Sequence, residues 1–250
     1  MLAIFALLFA AVGVGILVGS VGVGGILLPS ALTMLAGMAI HKSMATSLFT
    51  FIFAGVAGTI FFQRQGSIDW ELVKPVCAGA AVAGFLGAWV NSRLNAPSLA
   101  FILAIIIIFS GIYTLRAGDT VAHAVRGSHA RRQRFLLVGI GAVAGFGSGL
   151  TGVGGPALSV PLMVLSGFPA LTAIGVSQVI QIVGATSGTL GNLRYGSIDF
   201  GVAGLITPFE IGGVFFGAHI AHIVDAQILK KFVGILCILV GVVFLFRTIA

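Results

Sequence analysis

Gly22-Val23-Gly24-Gly25 and Gly152-Val153-Gly154-Gly155 are one tetrapeptide written twice, 130 positions apart, each inside a long apolar run. Glycine forfeits helix propensity and adopts backbone angles that other residues avoid. Each cluster therefore interrupts a helix that its flanks would otherwise continue. An interrupted helix leaves N–H groups without an intrahelical partner, and the dipole adds partial positive charge where the helix restarts. Two such N-termini, after Gly25 and Gly155, can converge on a small anion, and glycine amides reach it without side-chain obstruction. Pro156 suits the first position of a restarted helix. Ser20, Ser148 and Thr151 can add hydroxyl donors. Small residues also serve tight helix packing in membranes, but packing alone does not call for glycine clusters followed by proline in both places.

Further polar residues lie in the apolar segments that come next. Ser47 and Thr50 occupy one, and Ser177, Gln178 and Gln181 the other. Gln178 and Gln181 are three apart and share a helix face, so they line a cavity or bond to another helix. Arg64 and Arg194 stand at matched ends of these segments, where they can attract an anion, anchor the interface, or pair with Asp69 or Asp199. Glu210 is the one acid deep in a predicted span. Intramembrane ionisable residues are functional candidates by default, and Glu210 can line the path or carry a coupling proton. His219 follows nine positions later; at about 100° per residue it falls on nearly the opposite face, so a Glu–His pair is not expected.

The elements that hold these residues follow from composition. Of 250 residues, 58% are hydrophobic and 8% charged, with mean hydropathy +1.18. A soluble domain carries roughly 25% charged residues, so this is a polytopic membrane chain. Long continuous apolar runs select helices over a barrel, whose strands would be short and alternating. The N-terminal apolar stretch lacks a basic start and reads as the first membrane segment rather than a removed signal peptide. Broken segments are expected over 2–37 and 135–167. Spans are expected near 43–62, 72–90, 97–115, 170–191, 201–223 and 227–246, with the broken segments too long for one span of about 20 residues and short for two.

The net charge of +7 does not indicate nucleic acid. Arg116, Arg126, Arg131, Arg132 and Arg134 are five of the 13 Lys/Arg, and they concentrate in one loop between apolar blocks, the pattern of a cytoplasmic connection. Cys77 and Cys237 fall in predicted spans with no second ligand at metal spacing. Gly-Val-Gly-Gly lacks the Lys-Ser/Thr of a phosphate loop, and no catalytic cluster stands out. The expectation is a non-enzyme with no cofactor and no metal.

The chain repeats itself. At the same offset of 130, Ser47 meets Ser177, Arg64 meets Arg194, Gly66-Ser67-Ile68-Asp69 meets Gly196-Ser197-Ile198-Asp199, and Gly87-Ala88 meets Gly217-Ala218. Paired interrupted segments in two halves point to a transporter's binding site. If each broken segment returns to its own side the halves are inverted; if it crosses, they are parallel. The positive-inside rule fits both, and both put the two termini on one side.

The doubled Gly-x-Gly-Gly followed by proline, the Ala45-Thr46-Ser47 and Val176-Ser177-Gln178 stretches, and the Gly-Ser-Ile-Asp turn resemble the sulfite exporter TauE/SafE family over nearly the whole chain. The resemblance implies a plasma-membrane transporter of sulfite or organosulfonates. Pro156 stands where the first half has Ile26, so the two sites are not identical.

The reading is an all-α polytopic membrane protein of two homologous repeats, the inverted relation favoured, each with a broken or re-entrant helix pair and three spans. Repeat 1 covers 1–115, a basic cytoplasmic linker 116–134, and repeat 2 covers 135–250. The expected function is secondary transport of a small anion by alternating access, with a passive channel for a small ion or neutral solute as the alternative. The expected partners are the anion, the bilayer and a coupling proton or ion, with the oligomeric state left open.

Overall fold

The computed structural model describes residues 2–116 and 130–221, with isolated helical positions at 231, 235, 238, 239, 242, 245 and 246. The linker positions 117–129, Cys237, His222 and most of the span expected at 227–246 lie outside the described residues. Among those described there are nine α-helices and no strand.

Helix α1 (Leu2–Val21) stops at Gly22, where φ is +77°, and a 3-10 turn (Gly24–Ile26) leads into α2 (Leu27–Leu35). Helices α3 (Ile40–Arg64), α4 (Trp70–Asn91) and α5 (Ala96–Arg116) complete the first half. The second half holds α6 (Ala130–Thr151), a break at Gly152, then α7 (Pro156–Leu165), α8 (Ala170–Tyr195) and α9 (Phe200–Ile220). Six helices among the described residues (α1, α3, α4, α6, α8 and α9) are long and apolar enough to cross a membrane. Helix α6 begins earlier than the apolar run, because Arg131, Arg132 and Arg134 are good helix formers whose long side chains can reach past the membrane edge.

The Gly-Ser-Ile-Asp turns have a local cause. Gly66 takes φ +68° just beyond α3, the conformation that ends a helix, and Asp69 accepts the Glu71 N–H at 3.0 Å to start α4. Asp199 does the same for α9 by accepting the Val202 N–H at 3.0 Å.

Two close seams organise the packing. In one, Gly15 lies against the Glu210 carbonyl and Gly19 against Val214–Ala218, so α1 and α9 run parallel. In the other, Gly145 lies against Ala80 and Gly149 against Gly84–Ala88, so α6 and α4 run parallel. A Cβ at any of these glycines would collide with backbone, which is why the helices approach so closely. Between the seams, α3 and α8 cross antiparallel: Leu48 meets Gly188, and Gly58 meets Gln178.

The short helices double back. A crevice of about 310 Å³ is lined by Phe9, Gly13 and Leu17 of α1 and by Leu27, Ala31 and Leu35 of α2, so α2 runs back beside α1 instead of onward. Likewise a Cβ on Gly147 of α6 would strike Leu158 of α7. The Asp199 turn packs at the start of α3, where Lys42 Nζ lies 2.8 Å from Asp199 Oδ2 and the Asp199 N–H donates to Thr46 Oγ1 at 3.0 Å. The Ser67–Ile68 turn packs instead at the start of α8, on Gly175. The two matched turns thus sit at opposite ends of the α3–α8 pair.

Candidate functional site

The two breaks meet at the middle of the α3–α8 crossing. A Cβ built on Gly25 would lie 3.2 Å from the Phe51 ring, and one on Gly154 would lie 3.3 Å from the same ring. Gly22 faces Val160, Pro156 and Ser177, while Gly155 faces Ile180 and Gln181. Gln181 Nε2 donates to the Phe51 carbonyl at 3.1 Å. Phe51 and Gln181 are themselves 130 positions apart, the offset at which the sequence matches itself.

The breaks differ in detail. In the first, the helix resumes at once through the 3-10 turn at Gly24, slightly earlier than a restart after Gly25 would place it. Such a turn closes with i→i+3 bonds. Pro156 occupies the place of Ile26 and has no N–H to give, so the second break stays open through Gly152 (φ +67°) and Gly154 (φ +84°) before α7 starts at Pro156. Among the described residues, no acceptor lies against the N–H groups of Val153, Gly154 and Gly155, nor against those of Val23, Gly24 and Gly25. Successive unbonded amides beside left-handed residues form an anion-binding concavity.

The expected hydroxyl and amide residues are all buried, but they are differently engaged. Ser20 donates to the Ile16 carbonyl and Thr151 to the Gly147 carbonyl, both at 2.6 Å, so each proton is spent on its own helix. Ser177 donates to Ile174 O at 2.7 Å. Ser47 Oγ reaches across to the Gly152 carbonyl at 3.0 Å and pins the second break to α3. Gln178 Nε2 donates to the Val18 carbonyl at 3.2 Å, tying α8 to the last turn before the first break, while its Oε1 has no partner. Ser148 Oγ, one turn before Gly152, is fully buried and also has no partner. It is the free hydroxyl of the set.

Arg64 and Arg194 are exposed at the ends of the antiparallel α3 and α8, and Arg194 lies over the Tyr195 ring at 5.6 Å. Neither pairs with an aspartate: Lys42 takes Asp199, and Asp69 caps α4. The Lys42 ammonium and the Val202 N–H hold the Asp199 carboxyl below the ordinary carboxylate range. Glu210 is fully buried in α9 with both carboxyl oxygens unpartnered, whereas His219 is exposed on the other face.

Two residues at the site were not expected from the sequence. Phe51 touches both breaks, and Met44 backs Gly152. An aromatic in an apolar span carries no signal of its own. The one available clue was that Phe51 is the repeat counterpart of Gln181.

The sequence profile of the sulfite exporter TauE/SafE family matches residues 2–114 and 137–250, once in each half. The chain belongs to the TauE/SafE family. Curated relatives agree. "Probable membrane transporter protein YdhB" of Bacillus subtilis (strain 168) is 25% identical over 93% of this chain and 96% of its own length. "Probable membrane transporter protein" of Xylella fastidiosa (strain 9a5c) is 24% identical over 94% and 92%. "Probable membrane transporter protein YunE" of Bacillus subtilis (strain 168) is 23% identical over 80% and 78%. No solved structure matches the chain. Membership in this family, with six apolar helices among the described residues, makes this a multi-pass membrane protein of a transporter family.

Proposed function

We propose that the chain is a secondary transporter for a small sulfur oxyanion, sulfite or an organosulfonate, and that its two halves are inverted repeats working by alternating access. The observation that carries the reading is the meeting of two helix breaks, each with three consecutive unbonded amides, at one crossing of α3 and α8. Backbone amides and a free Ser148 hydroxyl suit a trigonal or tetrahedral anion, which needs several donors at once. The inverted relation is supported by the doubling back of α2 and α7, the antiparallel α3 and α8, and seams that repeat at an offset of 130. The arginine-rich connection is placed in the cytoplasm by the positive-inside rule, and the plasma membrane is proposed from the family resemblance.

The test is the thermal stability of the detergent-purified protein with sulfite, thiosulfate, sulfate, sulfoacetate and taurine, and with neutral and cationic controls. A sulfur anion should raise the melting midpoint. Ser148→Ala should weaken that binding about tenfold, the worth of one hydrogen bond to a charged group. A rise with neutral or cationic solutes alone, or one untouched by Ser148→Ala, would sink the proposal.

A further inference from the structure

We infer that the Glu210 carboxyl is the proton-carrying site of this transporter, linked to the second helix break through Thr50 and Ser47. The inference rests on reading the chain as an anion transporter. Glu210 sits mid-way along α9 with no exposed surface, and neither carboxyl oxygen has a hydrogen-bond partner. Buried polar groups are ordinarily paired, and an unpaired buried charge is costlier still. Losing the proton therefore has to go with a rearrangement that brings in a donor.

The donor is at hand. The Thr50 hydroxyl faces the carboxyl from α3 but donates to the Ser47 carbonyl at 2.9 Å. A carboxylate is a stronger acceptor than a carbonyl, so ionisation draws the Thr50 proton away from Ser47. The Ser47 hydroxyl in turn holds the Gly152 carbonyl. One change of hydrogen bond at Thr50 thus reaches the segment whose free amides form the anion site. A second route runs through α1: Gly15 rests on the Glu210 carbonyl, and the same helix continues to Ser20 and the break at Gly22.

Among the described residues no other charge competes for this role. Helices α1 and α3 pack against α9. Helix α1 carries no titratable residue, and α3 carries only His41, Lys42 and Arg64, at its ends. Lys42 is held by Asp199, and a ring nitrogen of His41 lies 3.0 Å from the Leu94 carbonyl. The repeat counterpart of Glu210 is Ala80, packed on Gly145 as Glu210 is on Gly15. The carboxyl at this position therefore belongs to one half alone.

The test uses the full chain in proteoliposomes with labelled sulfoacetate, which is ionised at neutral pH and does not leak as a neutral acid. Wild type should exchange sulfoacetate across the membrane and accumulate it under an imposed pH difference. Glu210→Gln should keep exchange within about twofold while pH-driven accumulation falls about tenfold or more, the loss of a coupling free energy. Glu210→Asp should restore part of the accumulation. Wild-type accumulation in Glu210→Gln would overturn the inference, as would loss of exchange in a folded Glu210→Gln protein. Should Glu210→Gln not fold, Thr50→Val decides: a lower ratio of accumulation to exchange supports the link, and an unchanged ratio overturns it. A wild type that moves neither sulfoacetate, sulfite nor taurine removes the transport reading itself, and this inference with it.

Discussion

The residues that define this molecule are those whose neighbours come from the other half. The Gly-x-Gly-Gly clusters were legible because clustered glycines followed by proline in both places exceed what close helix packing calls for, and they do interrupt α1 and α6. Their partner Phe51 was not, since a phenylalanine in an apolar span looks like any other. Asp199 was legible as a turn residue, but its counter-charge was not: Arg194 was one candidate among several uses of that arginine, and the actual partner is Lys42 from the far half. This pair gives a test with a defined sign. Because the folded-state carboxyl titrates below its ordinary value, the stability it adds is complete above that value and is lost as pH falls through the depressed one. Asn at 199 keeps the helix cap and removes the charge. Wild type should therefore melt above Asp199→Asn near neutral pH, with the gap closing below about pH 4. A gap that does not change with pH would deny the pair its role.

At the scale of the element, apolar runs placed the helices well because burial in lipid needs length and little else. Helix ends were harder to read. Helix α6 extends into the arginine-rich stretch, since arginine favours helix and its stem tolerates the membrane edge. What apolar content could not disclose was which helices touch, because glycine spacing permits a close seam without naming the partner. The seams can be tested in pairs. Gly19→Leu and Gly149→Leu put bulk into matching places between α1 and α9 and between α6 and α4. Each should cost about 1–3 kcal/mol as overpacking, measured by reversible unfolding in mild detergent. Gly139, whose added Cβ would meet nothing, should accept leucine with a change within about 0.5 kcal/mol. Unequal costs at 19 and 149 would argue against equivalent seams.

For the whole molecule, the proposed repeat was readable from a register of matched residues, while its hand was not, because the distribution of arginine and lysine satisfies both arrangements. The proposed inverted relation draws on helix direction instead. With Ser67 at one end of the α3–α8 pair and Ser197 at the other, identical tetrapeptides should face opposite sides of the membrane. In a chain whose Cys77 and Cys237 are replaced by serine, Ser67→Cys and Ser197→Cys should react with an impermeant maleimide from opposite sides. Labelling of both from one side would restore the parallel arrangement.

The central claim is that two halves share one anion site and expose it to one side at a time. Counterflow measures this most directly. Proteoliposomes loaded with unlabelled sulfite or sulfoacetate are diluted into a trace of the same labelled anion. A carrier returns with labelled anion in exchange for unlabelled, so the account predicts a transient internal excess of label that then decays. Label that only rises to equilibrium, with no excess, would mean a channel and would contradict it.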